Sequence, residues 1–268
     1  MNLIDACFQQ LKSQNKKAFV AYITAGDPDL NMTLDLMKLF VQLGVDVIEL
    51  GVPFSDPIGD GLVNQAASER ALKNKTTLSK VLKTVAQFRK TDIKTAVVLF
   101  SYMNPLYQMG FSLFATLARE SGVNGVLTVD GPFDMNTEIR SHLNREGIHS
   151  IYLIAPTTTP KRMQEITEKS GGFIYCISSL GVTGVRKSLG HNLDKQVPTI
   201  KKMTQKPVCV GFGISTPEMA KNVAQFSDGV IVGSALVKMI ECYGKNKKEL
   251  FSQITPFLKS LVDAVKSV

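Results

Sequence analysis

The sequence has no apolar run of the roughly 18 residues that a membrane-spanning helix needs, so no such helix is expected. Its four cysteines, Cys7, Cys176, Cys209 and Cys242, are far apart and show no C-x-x-C spacing, which argues against a disulfide framework or a zinc site. The histidines, His142, His149 and His191, are equally scattered and form no metal-ligand pattern. No linker, low-complexity stretch or shift in composition divides the chain, and residues 1–268 are read as one domain. No secretory leader is expected either. In MNLIDACFQQLKSQNKK the basic residues follow the apolar ones, the reverse of a signal peptide, so a cytoplasmic location is expected.

One surplus is the net charge of +8. The lysines are spread from Lys12 to Lys266, with no aromatic-interleaved basic stripe. That pattern fits a solvated basic face better than a nucleic-acid or membrane surface, with attraction of an anionic substrate a small benefit.

What the sequence does contain is a recurring unit. Short β-branched apolar runs fall near residues 18–24, 46–50, 95–101 and 124–130, then near 150–155, 173–178, 207–212 and 229–233. They are almost continuously apolar, as parallel strands covered on both faces are. Helical stretches with caps separate them. Asp29 or Asn31 caps the stretch ending near Gly44, Thr77 caps residues 78–90, and Ser215 opens residues 216–226 with Pro217 in the first turn. Eight alternations predict an α/β fold, either an open doubly wound sheet or a closed ring, the TIM (β/α)8 barrel. The barrel is favoured by the strand count and by paired glycine signals after the last two strands. An extra N-terminal helix, about residues 2–14, would plug the bottom, and a final helix, about 247–266, would pack outside. The long connections run from Gly51 to about Thr76 and through SSLGVTGVRKSLGHN after the sixth strand. Barrels place chemistry on such loops.

GFGIS (211–215) closes the seventh expected strand and VGSA (232–235) the eighth, each opening a helix. Glycine lets the backbone approach an anion, and free N–H groups at a helix start point at it. Gly213, Gly233 and Ser234 are therefore the phosphate candidates, with Gly184 closing a third side. Glu49 is a charge inside an apolar strand, where leaving it unpaired is costly. Either it points into the barrel mouth with a raised pKa suited to proton transfer, or it is a buried Glu paired with a Lys or Arg. Asp60 follows between Gly59 and Gly61, in a loop stiffened by Pro53 and Pro57.

The run ELGVPFSDPIGDG (49–61) resembles the signature of the tryptophan synthase alpha chain family, roughly E-L-G-x-P-F-S-D-P-x-A-D-G. AYITAGDP (21–28), SYMNP (101–105), LIAPTTTPKRMQEI (153–166), GVTGVR (181–186), GFGIS and VGSA agree in order along nearly the whole chain. The absence of tryptophan fits a protein of tryptophan biosynthesis. The resemblance implies a lyase that cleaves indole-3-glycerol phosphate to indole and glyceraldehyde 3-phosphate. Glu49 would be the general acid/base, and Asp60 would accept the indole N–H. It also implies a substrate site lined by Tyr22, Tyr102, Tyr175 and Phe212, with Thr183 closing over it toward Asp60; packing in the core is the other role open to Tyr102. No metal or organic cofactor is implied. Pyridoxal phosphate would belong to a tryptophan synthase beta chain, the partner in an alpha2beta2 heterotetramer. An alternative is a non-catalytic subunit that binds phosphate ligands and activates that partner. The chain departs from the family pattern at Gly59 (usually Ala), Leu62 (usually Pro), Val63–Asn64 (usually Thr–Ile), Ser179 (Arg in some members) and 129–136. Gly59 and Leu62 are expected to loosen the catalytic loop.

Overall fold

The computed structural model describes residues 1–134, 137–177, 193–211 and 213–268. Helix α1 (Leu3–Ser13) is followed by β1 (Ala18–Thr24), α2 (Leu30–Gln42) and β2 (Val47–Gly51). Helices α3 (Leu62–Lys73) and α4 (Leu78–Arg89) lead to β3 (Ala96–Ser101), and α5 (Met103–Met109) and α6 (Phe111–Ser121) to β4 (Gly125–Thr128). Next come α7 (Thr137–Arg145), β5 (His149–Ile151), β6 (Leu153–Ile154), α8 (Pro160–Lys169) and β7 (Ile174–Ile177). The chain continues through α9 (Leu193–Met203), β8 (Val208–Gly211), α10 (Pro217–Ala224) and β9 (Gly229–Val232). It closes with α11 (Ser234–Tyr243) and α12 (Lys247–Lys266).

All the strand pairs are parallel, in the order β5-β4-β3-β2-β1-β9-β8-β7-β6. The two ends of that order are consecutive in the chain, so the sheet is a barrel. Its fifth stave, expected as one strand over 150–155, is split at Tyr152. β5 pairs with β4, and β6 pairs with β7. Each half therefore serves one neighbour. The expected seventh and eighth strands are thus β8 and β9.

The continuous apolar runs divide by alternation. Val20 and Tyr22 of β1 join a cluster inside the barrel, while Phe19, Ala21 and Ile23 join one between sheet and helices. Helix α1 plugs the bottom as expected. Ile4, Phe8 and Leu11 enter the inner cluster, with Phe8 and Phe173 ring centroids 5.8 Å apart. Helix α12 packs on the outside against α10 and α11, and its Lys266 Nζ reaches Asp46 Oδ2 at 2.5 Å just before β2.

Two local expectations need correction. The connection from Gly51 to Thr76 is not one long loop, because it contains α3. The buried face of α3 is Asn64, Ala67, Ser68 and Ala71, small or polar residues that leave no apolar stripe to read. The cap of α10 is Thr216, not Ser215: Thr216 Oγ1 accepts from Met219 N at 3.2 Å, while Ser215 Oγ lies against Met219 Sδ. Asp29 rather than Asn31 caps α2, and Thr77 caps α4.

Candidate active site

The register of β2 places Glu49 between Tyr22 of β1 and Val98 of β3. Tyr22, Val47 and Val98 all belong to the inner cluster, so the alternation of β2 turns Glu49 into the barrel as well. Its residue surface is 0 % exposed, and neither carboxylate oxygen has a hydrogen-bond partner among the described residues. No Lys or Arg among them pairs with it, which decides between the two sequence readings in favour of the mouth. An ion without a partner there is strongly disfavoured. Burial first, then the charge of Asp60, pushes the Glu49 pKa up to about 8.

Asp60 is 3 % exposed, but unlike Glu49 it is held. The Tyr102 hydroxyl donates to Oδ2 at 3.1 Å, and Asn64 Nδ2 donates to Oδ1 at 3.3 Å. Gln65 Nε2 donates to the Asp60 backbone carbonyl at 2.7 Å. Burial raises the Asp60 pKa above the usual range, and the bonds from Asn64 and Tyr102 pull it back. Asn64 and Gln65 ride on α3, which is itself tied down. Arg70 forks onto the buried Asp27 through Nε and Nη2, both at 2.8 Å, and reaches Glu241 of α11 at 3.2 Å.

One cavity at the C-terminal mouth brings together Glu49, Tyr22 and Tyr175 with Gly213, Gly233 and Ser234. Asn64 and Phe100 also line it. Gly213 has φ +79°, a conformation open to glycine at little cost. Gly233 precedes α11, and no side chain caps that helix, so its first N–H groups face the mouth uncapped. Tyr102 is the exception among the expected lining residues. It is buried outside this lining and bears on the site through Asp60. Thr183, Gly184 and Phe212, like Ser179, lie outside the described residues. Among the described residues no group of three or more His, Cys, Asp or Glu could hold a metal ion.

Residues 8–266 match the family model of the tryptophan synthase alpha chain. A tryptophan synthase alpha chain from Legionella pneumophila subsp. pneumophila is 44 % identical over 269 residues, covering 100 % of this chain and 98 % of its own. The chain belongs to the tryptophan synthase alpha chain family. A second relative of that name, from Laribacter hongkongensis, is 42 % identical, with 98 % and 100 % of the two chains covered. The crystal structure of tryptophan synthase subunit alpha from Legionella pneumophila str. Paris has a TM-score of 0.92 to this chain at 41 % identity, both chains covered in full.

Against the tryptophan synthase alpha chain pattern, Gly59 is expected to loosen the loop, and the structure packs it closely. Its N–H donates to the Tyr102 hydroxyl at 3.0 Å, and a Cβ placed on it would lie 2.5 Å from Val129 Cγ1. The small residue lets the loop press onto β4's end and share one tyrosine hydroxyl with Asp60. Sequence reasoning missed three supports of the site: Asn64, Gln65 and the Arg70–Asp27 pair. The family motif names the carboxylate but not the groups that aim it. A polar residue at position 64, where the family usually has Ile, was the one legible signal.

Proposed function

We propose that Glu49 and Asp60 are the proton-handling pair with which this tryptophan synthase alpha chain cleaves indole-3-glycerol phosphate to indole and glyceraldehyde 3-phosphate. The observation that carries the assignment is a fully buried Glu49, with no hydrogen-bond partner among the described residues, sharing one cavity with the uncapped start of α11. Protonated Glu49 donates to indole C3, which makes the ring an electron sink. The carboxylate so formed takes the proton of the hydroxyl on the adjoining carbon. The C–C bond then breaks, its electron pair restores the aromatic ring, and the hydroxyl carbon becomes the aldehyde. One proton enters and one leaves, so Glu49 ends as it began. Asp60, ionised, accepts the indole N–H and stabilises the positive charge that builds on the ring.

The phosphate sits on the N–H groups around Gly213, Gly233 and Ser234, Tyr22 and Tyr175 flank the substrate, and Tyr102 serves through Asp60. The family resemblance assigns Gly184 to the phosphate, Phe212 to the substrate and Thr183 to closing over it, all three outside the described residues. The indole itself carries the electrons, so the reaction asks for no metal or organic cofactor. The partner is a tryptophan synthase beta chain that carries pyridoxal phosphate, in an alpha2beta2 assembly in the cytoplasm, with residues 1–268 acting as one domain. Indole is apolar and would escape if released freely, which motivates direct transfer. Ile58 (78 % exposed) and Leu62 (81 % exposed) put apolar surface on the rim beside Asp60, where a partner would cover it. No helix among the described residues is long and apolar enough to cross a membrane.

The test is release of glyceraldehyde 3-phosphate from indole-3-glycerol phosphate by the purified chain, with and without a beta chain. Turnover that Glu49→Gln abolishes supports the reading. Full activity in Glu49→Gln, or binding without turnover under both conditions, would overturn it and favour the non-catalytic regulatory subunit.

A further inference from the structure

Asn64 is 4 % exposed, lines the same cavity as Glu49, and stands one helical turn beyond Asp60. Burying an amide where the family usually has an aliphatic side chain is unfavourable unless the amide is hydrogen-bonded. Its Nδ2 lies 3.3 Å from Asp60 Oδ1. An ionised carboxylate only accepts, so this contact fixes the amide with its NH2 toward Asp60. We propose that Asn64 is a positioning residue, whose amide, opposite the Tyr102 hydroxyl, presets the Asp60 carboxylate for the indole N–H before substrate arrives. The inference rests on the catalytic reading above.

The geometry makes this a two-sided grip. Tyr102, from the end of β3, holds Oδ2, and Asn64, from α3, holds Oδ1. Each carboxylate oxygen has two lone pairs, so the indole N–H can join without displacing either donor. The Arg70–Asp27 fork keeps α3 in place, so the donor is mounted on a fixed support. The titratable groups facing Asp60 are Glu49 from β2, Tyr22 from β1, Tyr102 after β3 and Tyr175 from β7. Among the described residues no cation forms an ion pair with it. With no cation among the described residues paired to it, neutral donors carry more of the task of setting its charge, and removing one matters more.

The experiment measures kcat and KM for indole-3-glycerol phosphate across pH in the native chain, Asn64→Leu, Asn64→Asp and Glu49→Gln. Asn64→Leu is expected to lower kcat about tenfold to a hundredfold, the range for losing a hydrogen bond to a charged group, with a smaller change in KM. Losing the donor also raises the Asp60 pKa, so the acid limb of the profile moves to higher pH. The substrate's own phosphate ionisation is common to every variant and cancels. Asn64→Asp keeps the shape but sets a second carboxylate against Asp60, and it is expected to move the limb further. If Asn64→Leu does not fold, the near-isosteric Asn64→Asp still decides. A native acid limb in whichever variants fold, with or without a loss of rate, overturns the proposal. Activity retained by Glu49→Gln would instead overturn the functional reading beneath it.

Discussion

Two carboxylates only three positions apart, Asp46 just before β2 and Glu49 in the middle of that strand, are treated in opposite ways. Asp46, at the bottom, accepts from Phe19 N at 2.6 Å and from Lys266 Nζ at 2.5 Å. Burial raises its pKa, but Lys266 and these bonds oppose the shift. Glu49 has burial and the charge of Asp60 acting on it and nothing opposing them. The difference is that between a structural charge and a working one. Asp46 ties α12 to the entrance of β2 through its pair with Lys266. Glu49 has no partner among the described residues to hold its charge, which favours a proton that can be given away. Asp60 lies between them, held by neutral donors and open to one more.

The sharpest break in this contrast is Glu49→Gln. Loss of a general acid/base is expected to lower kcat by roughly a hundredfold to ten-thousandfold, measured as glyceraldehyde 3-phosphate release. The same variant should gain stability on the native chain as pH rises. The folded state binds the Glu49 proton more tightly than the unfolded one, so the native chain's stability is fully present below the unfolded pKa of 4.5 and is lost as pH rises toward about 8. Urea unfolding at a series of pH values should show the two curves separating across that window, by several kcal/mol at most. Parallel curves would mean that Glu49 has an unseen partner.

Asp46→Ala tests the other carboxylate. It strands Lys266 and the Phe19 N–H, and a loss of about 2 kcal/mol in unfolding free energy is expected, with kcat per folded molecule unchanged. A large loss of kcat at intact stability would erase the distinction between the two carboxylates. The rate profile of the isolated chain should be bell-shaped, with kcat/KM falling above about pH 8 as Glu49 loses its proton. A flat profile through pH 9 would contradict the role of the protonated acid. The smallest effect belongs to Gly59→Ala, whose methyl group must displace Val129. A loss of about 1 kcal/mol is expected, recovered in part by adding Val129→Ala. Both changes can be read from denaturation midpoints.

The barrel was legible because its strands are nearly continuous apolar runs and its helices carry caps and stripes. Six strands fall within one residue of their expected ends, β1 and β3 among them. The split of the fifth stave was not legible, since it depends on which neighbour each half bonds. Nor was α3 legible, since its buried face is alanine, serine and asparagine. At the site, Glu49 stood out as a charge in an apolar strand, and glycine pairs marked the anion end. The grip on Asp60 by Asn64 and Tyr102 joins α3 and the end of β3 across the fold, and beyond the polar residue at position 64 local sequence holds no trace of such a pairing. Gly59 shows the converse failure. Read alone it suggests slack, yet packed on Val129 and Tyr102 it permits a tight contact.

The central claim is that Glu49 holds a proton at neutral pH because it is buried and no described residue pairs with it. Infrared difference spectra between the native chain and Glu49→Gln, recorded with isotope-labelled glutamate across pH, observe that proton directly. A protonated-carboxyl band that persists at pH 7, disappears around pH 8 and is missing from the variant is the expected result. A band that has already gone by about pH 5, as for an ordinary glutamate, would contradict the account.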